Sequence, residues 1–146
     1  MIDVELITRK ILLVVRDLDA LRPIAAKARD AYLSSGLDEA AAERYLERLI
    51  GRMIDINYHL LTESGQPPPS DYHASFVRLA DLGVLGREFA LRIAGCAGLR
   101  NRIVHEYDDL DPSKVFDALQ AAMADVPQYL ARVNDFITRP SIRNEP

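Results

Sequence analysis

Within eight residues of the chain's last third, Arg100-Asn101-Arg102-Ile103-Val104-His105-Glu106-Tyr107 assembles a permanent cation, an imidazole and a phenol. Arginine presents a planar fork of donors that matches a phosphate. Histidine moves protons near neutral pH, because its unperturbed pKa is about 6.5. Together they are the minimum that metal-free RNA cleavage needs, since RNA carries its own nucleophile in the 2′-OH. On spacing alone the pattern is weak. A structural role competes with it, in which Arg100 pairs with an aspartate and His105 caps helix carbonyls.

The elements that must position these residues are helical throughout, with no alternating strand pattern of useful length. Residues 2–33 read as a first helix that Pro23 kinks or divides, closed by Ser35-Gly36. Asp38 is the expected N-cap of a second helix with a stripe of Leu46, Leu49, Ile50, Met53, Ile54, Leu60 and Leu61. Asn57 falls on that stripe, either fixing helix register or making a core hydrogen bond. After the Gly65-Gln66-Pro67-Pro68-Pro69 loop, Ser70 is the expected cap of a short third helix that Gly83 ends. The fourth helix spans about 85–104, and Asp111-Pro112 opens a fifth, with Pro127 as a bend. The expected fold is all-α: an up-and-down bundle of about five helices in one domain, residues 1–139, followed by a loose tail, residues 140–146.

On the fourth helix Phe89, Ile93, Cys96, Arg100, Ile103 and Tyr107 form a three-four ladder, which places Arg100 on the apolar face and Arg102 on the solvated one. A charge on an apolar face is costly unless it is paired or faces a cleft. His105 follows Arg100 by five residues, roughly 140° around an ideal helix. The two side chains converge only if the helix unwinds near Val104 or a second copy completes the site. The acids Glu106, Asp108, Asp109 and Asp111 favour an early helix end, while Gly95 and Gly98 offer small positions for a close helix approach.

The segment Gly98-Leu99-Arg100-Asn101-Arg102-Ile103-Val104-His105-Glu106-Tyr107 resembles the signature of HepT-type toxins of the HEPN superfamily: arginine, four residues, histidine, one residue, tyrosine. The polar Asn101 after the arginine, the late position in an all-α chain and the Asp111-Pro112 step match as well. The resemblance covers nearly the whole chain. It implies a HEPN-like homodimer with the motif facing the dimer cleft, acting as the metal-independent endoribonuclease toxin of a type VII-like toxin–antitoxin system. Its implied partner is a small nucleotidyltransferase antitoxin of the MntA type, which transfers AMP to the motif tyrosine, by position Tyr107. In that frame His105 is the general acid or base, Arg100 stabilises the phosphorane-like transition state, and Asn101 orients the phosphate or the imidazole. A non-catalytic HEPN-like bundle that binds a nucleotide or a nucleotidyltransferase partner is the alternative. A third possibility is a helical adaptor in which Arg100 closes a salt bridge.

Other residues are read more plainly. Arg48, Arg52, Asp55 and His59 share a face of the second helix and are taken as a solvated face with one ion pair, in preference to a cleft wall holding Asp55 or His59. Tyr45, Tyr58, Tyr72 and Phe76 can stack bases, yet bundle cores use aromatics routinely. No metal site is expected from His59, His73 and His105, which are scattered, and no cofactor is expected. Cys96 reads as inert packing. A net charge of −4 argues against a strong nonspecific nucleic-acid binder while leaving room for a local contact. No apolar run approaches the roughly 20 residues of a membrane span. A single cysteine, and Asp3 and Glu5 where a signal peptide is basic, suit a cytoplasmic protein.

Overall fold

The computed structural model describes residues 1–143, and its secondary structure there is entirely helical, with no strand. Three long helices set the frame: α1 (Val4–Ala25), α3 (Gly36–Glu63) and α7 (Pro112–Ile137). Shorter pieces fill in around them: α2 (Arg29–Leu33), α4 (Tyr72–Val77), α5 (Arg87–Ile93), α6 (Gly95–His105) and α8 (Pro140–Arg143). α1 packs most extensively on α3; α7 lies against α1, α2 and α3, and α6 against α3. Their apolar stripes meet in one core that includes Ile7, Val14, Leu21, Leu49, Met53, Leu60, Leu119, Val126 and Val133.

Several expected boundaries move for identifiable reasons. The first helix is divided as Pro23 suggested, but it runs two residues past the proline before breaking at residues 26–28. The cap of α3 is Ser35, not Asp38: its side chain accepts the Asp38 N–H at 3.1 Å, so the helix begins earlier. Asp38 instead sits in the first turn, where the helix dipole favours a carboxylate, and pairs with Lys27. α4 is likewise capped by Asp71, which accepts the Ala74 N–H at 2.7 Å, in place of Ser70. α7 opens as expected, with Asp111 accepting from Ser113 N–H and Pro112 in the first turn. The helix continues through Pro127. At the C-terminal end Pro140–Arg143 forms a single helical turn; residues 144–146 lie outside the described residues.

The expected fourth helix is two helices. Ala94 ends α5 and begins α6, and the Ala97 N–H reaches back only three residues, to the Ala94 carbonyl at 3.1 Å. Gly95, among the weakest helix formers, stands at the joint.

Asn57 resolves toward the core hydrogen bond. It is fully buried, its amide donates to Ser75 Oγ (3.2 Å), and the Tyr129 hydroxyl donates to its carbonyl oxygen. Ser75 in turn donates to the Tyr72 carbonyl at 2.6 Å. This chain ties α7 through α3 to α4, and so fixes the backbone that carries Tyr72. Burial pushes the Tyr129 phenol well above its ordinary pKa, keeping it a donor.

Two outcomes follow. Tyr129→Phe leaves the Asn57 oxygen buried and unpaired, so urea unfolding should show a loss of about 1–3 kcal/mol with an unchanged m value. The Cys96 thiol, pushed up to about 12 chiefly by burial with Asp125 adding to it, should react with iodoacetamide at pH 8.5 roughly a thousandfold more slowly than a free thiol.

Candidate active site

α6 is regular from Gly95 to His105, and its phase decides where each motif residue goes. Ala97, Leu99 and Ile103 are buried on the side that meets the bundle. Arg100 falls within that buried arc yet stays half-exposed, because it faces a cleft between α3 and α4 rather than a packed core. Asn101 and His105, one turn apart, share the exposed side with Arg102. Arg100 and His105 both lie in unbroken helix, so the five-residue spacing keeps them about 140° apart. The helix does end early, but one residue too late to swing the imidazole round: the Glu106 N–H makes the last four-residue bond, to the Arg102 carbonyl at 2.8 Å. Tyr107 opens a 3₁₀ turn, Tyr107–Asp109, so the ladder does not continue helically to it. Its side chain lies outside what the structure describes.

The aspartate partner that a purely structural Arg100 requires is missing. Among the described residues its guanidinium forms no ion pair, and its Nε is buried without a hydrogen-bond partner. The guanidinium carbon instead sits 5.3 Å from the Tyr72 ring centroid, in a cation–π contact. A cation held by an aromatic face keeps its donors available for an anion.

The cleft in front of Arg100 encloses about 540 Å³ and is walled by Arg48, Arg52 and Asp55 of α3, with Tyr58 and Tyr72. Here the expected solvated face of α3 is corrected. Arg48 and Arg52 are mostly buried and both grip Asp17 of α1, through Oδ1 at 3.2 Å and Oδ2 at 2.6 Å. Asp17 is 1% exposed, and among the described residues that pair of arginines offsets its charge. Asp55 does belong to the cleft wall, with Lys10 at 3.5 Å as its counter-ion. His59 does not: its Nε2 accepts the Asp3 N–H at 2.9 Å at the start of α1. The sequence reading overlooked Asp17. The available signal was an acid on the Val14–Leu18–Leu21 stripe, opposite two arginines spaced four apart.

Tyr58 and Tyr72 meet edge to face, with centroids 6.2 Å apart. Burial, with Tyr72 and Asp71, raises the Tyr58 pKa, so its phenol stays a neutral donor. No group of three or more His, Cys, Asp or Glu among the described residues is placed to hold a metal ion. No described helix is long and apolar enough to cross a membrane.

Comparison with known proteins gives these features a setting. The family described as "Ribonuclease HepT-like" matches residues 14–133. A tRNA nuclease HepT of Aphanizomenon flos-aquae (strain 2012/KM1/D3) is 36% identical over 132 residues, which span 90% of each chain. The crystal structure of a toxin–antitoxin with AMP-PNP shares the fold at a TM-score of 0.81 and 20% identity, covering 90% of this chain and 98% of that one. A tri-AMPylated Shewanella oneidensis HEPN toxin, in complex with its MNT antitoxin, does so at a TM-score of 0.80 and 21% identity, covering 92% and 99%. On the family match over residues 14–133 and the 36% identity to the tRNA nuclease, the chain belongs to the HepT-like ribonuclease family.

Proposed function

We propose that the protein is the toxin of a type VII-like toxin–antitoxin pair, a metal-independent endoribonuclease that works as a homodimer. The observation that carries this reading is Arg100, a guanidinium on the buried arc of α6 that has no carboxylate partner among the described residues and opens onto a cleft. The tRNA nuclease relative and the toxin–antitoxin structures support the same assignment.

The site is composed across a two-fold axis, with Arg100 from one protomer and His105 from the other. Helical geometry supports this, because the two cannot converge within one chain. The exposed side of α6 supports it too: a Cβ built on Gly95 meets nothing within 4 Å, and one on Gly98 meets only the Arg102 side chain, so a second helix can approach closely. In the reaction the 2′-oxygen attacks the adjacent phosphorus while His105 takes its proton. The P–O5′ bond breaks, the leaving oxygen takes a proton from the His105 imidazolium or from water, and a 2′,3′-cyclic phosphate remains. Arg100 binds the non-bridging oxygens as charge builds on them, and Asn101 orients the phosphate or the imidazole. Neutralisation is by a nucleotidyltransferase antitoxin: the Tyr107 hydroxyl attacks the α-phosphorus of ATP, forming Tyr107–AMP and releasing pyrophosphate. The added charge and bulk repel RNA.

Wild-type protein should cleave RNA in EDTA, and Arg100→Ala and His105→Ala should each abolish cleavage while unfolding as wild type does. Co-expressing the two inactive variants distinguishes the architectures. A site shared between protomers restores about a quarter of wild-type activity in a statistical mixture of dimers. A site within one chain restores none. Loss of the enzyme reading would be a wild-type protein that neither cleaves RNA nor slows growth. Co-expression with the antitoxin should add mass to the Tyr107 peptide in steps of one AMP, and Tyr107→Phe should stay unmodified and toxic; unmodified wild-type Tyr107 in a neutralised complex would refute this route.

A further inference from the structure

The cleft beside Arg100 contains more recognition chemistry than phosphoryl transfer requires. We propose that Arg48, Arg52, Tyr58 and Tyr72 form a subsite for one unpaired nucleotide of the RNA, next to the scissile phosphate; this rests on the ribonuclease reading above. Its phosphate lies against the α3 arginines and its base stacks on Tyr72.

Charge is the first argument. The protein carries a net −4, yet this cleft gathers Arg48, Arg52 and Arg100 against Asp17, which two of them already share. The two acids that line it have their own cations: Asp55 has Lys10 and Glu47 has Arg44. A local surplus of guanidinium in an acidic protein fits an anionic ligand. Rigidity is the second. Arg48 and Arg52 are held by a buried carboxylate, and Arg52 NH1 also lies 3.5 Å from the Leu13 carbonyl oxygen, so both are fixed before any ligand arrives.

The aromatic pair identifies the ligand as nucleic acid rather than a bare phosphate. Tyr72 is 38% exposed at the cleft, and its backbone is locked by the Asn57–Ser75 chain. Cations that follow a backbone beside an aromatic platform are the means by which single strands are bound. A cavity of about 540 Å³ is of ligand size, too small for a duplex but able to admit one splayed nucleotide.

The probe is a single-stranded oligoribonucleotide with 2′-O-methyl sugars, which lacks the attacking hydroxyl, followed by fluorescence anisotropy. Tyr72→Ala and Arg48→Ala should each weaken binding about tenfold, and Tyr72→Trp should restore it. Arg48→Ala leaves Asp17 its closer partner, Arg52, and should reduce the slope of log K against log salt by about 0.7. With the unmodified RNA the loss should fall on KM more than on kcat, unlike that of His105→Ala. A 4-thiouridine version should photo-crosslink to wild-type peptides containing Tyr58 or Tyr72, a measurement that needs no variant. The subsite is refuted if wild type does not bind the probe, if both variants bind it as wild type does, or if crosslinks fall elsewhere. It is also refuted if the variants lose only the antitoxin, which would make the cleft a protein dock. A wild type that binds the probe through this cleft but never cleaves RNA would instead sink the ribonuclease reading and leave the subsite standing.

Discussion

Asp17 is a carboxylate placed where the core of the α1–α3 contact ought to be apolar, and everything around the cleft follows from how that charge is satisfied. Its two oxygens are divided between Arg48 and Arg52, one helical turn apart on α3. Leaving such a buried carboxylate with no partner at all typically costs about 3–5 kcal/mol, because its charge stays desolvated. α1 and α3 are therefore locked in rotation and register, not merely pressed together. The same contact fixes the guanidiniums along the wall that Arg100 faces, so the device that holds the bundle together also sets the charge of the cleft.

A second constraint comes from α6 being a good helix. If it frayed at Val104, His105 could turn toward Arg100 and one chain could carry the whole site. It does not fray there. The Glu106 N–H still bonds back to Arg102, and the chain leaves helical geometry only at the acidic run that follows. Helix regularity on one side of the motif thus pushes the proposed chemistry toward a two-chain solution, and the open space beside Gly95 and Gly98 makes that solution sterically cheap.

Most of this was legible from residue spacing, and the misses share a cause. The all-helical class, the Arg100 position on the buried arc, the exposed Arg102 and the Asp111 cap all follow from local periodicity and capping chemistry. The caps at Ser35 and Asp71 were displaced because neighbouring Ser and Asp residues compete for the same role, and only the backbone torsions choose between them. The split at Ala94 was hidden because one ladder, Phe89 to Ile103, runs through both helices. Arg48 and Arg52 were read as solvated because their helix says nothing of Asp17, 31 and 35 residues away in sequence. Long-range pairing of charges is what a one-dimensional pattern leaves out.

The charge distribution also bears on the proposed control by AMP. A modification that only added bulk would have to block the cleft sterically, and its success would depend on the length and direction of the modified side chain. A phosphodiester acts at longer range. The cleft is a locally cationic site in an acidic protein, so the proposed RNA affinity would rest on a small surplus of guanidinium charge. In that scheme each AMP adds one negative charge against that surplus, and successive additions erode it further. Tyr107 lies two residues beyond His105, at the head of a turn already carrying Asp108 and Asp109. In the proposed scheme, new phosphates there extend an existing acidic run at the C-terminal end of α6 and add to the repulsion of an anionic substrate.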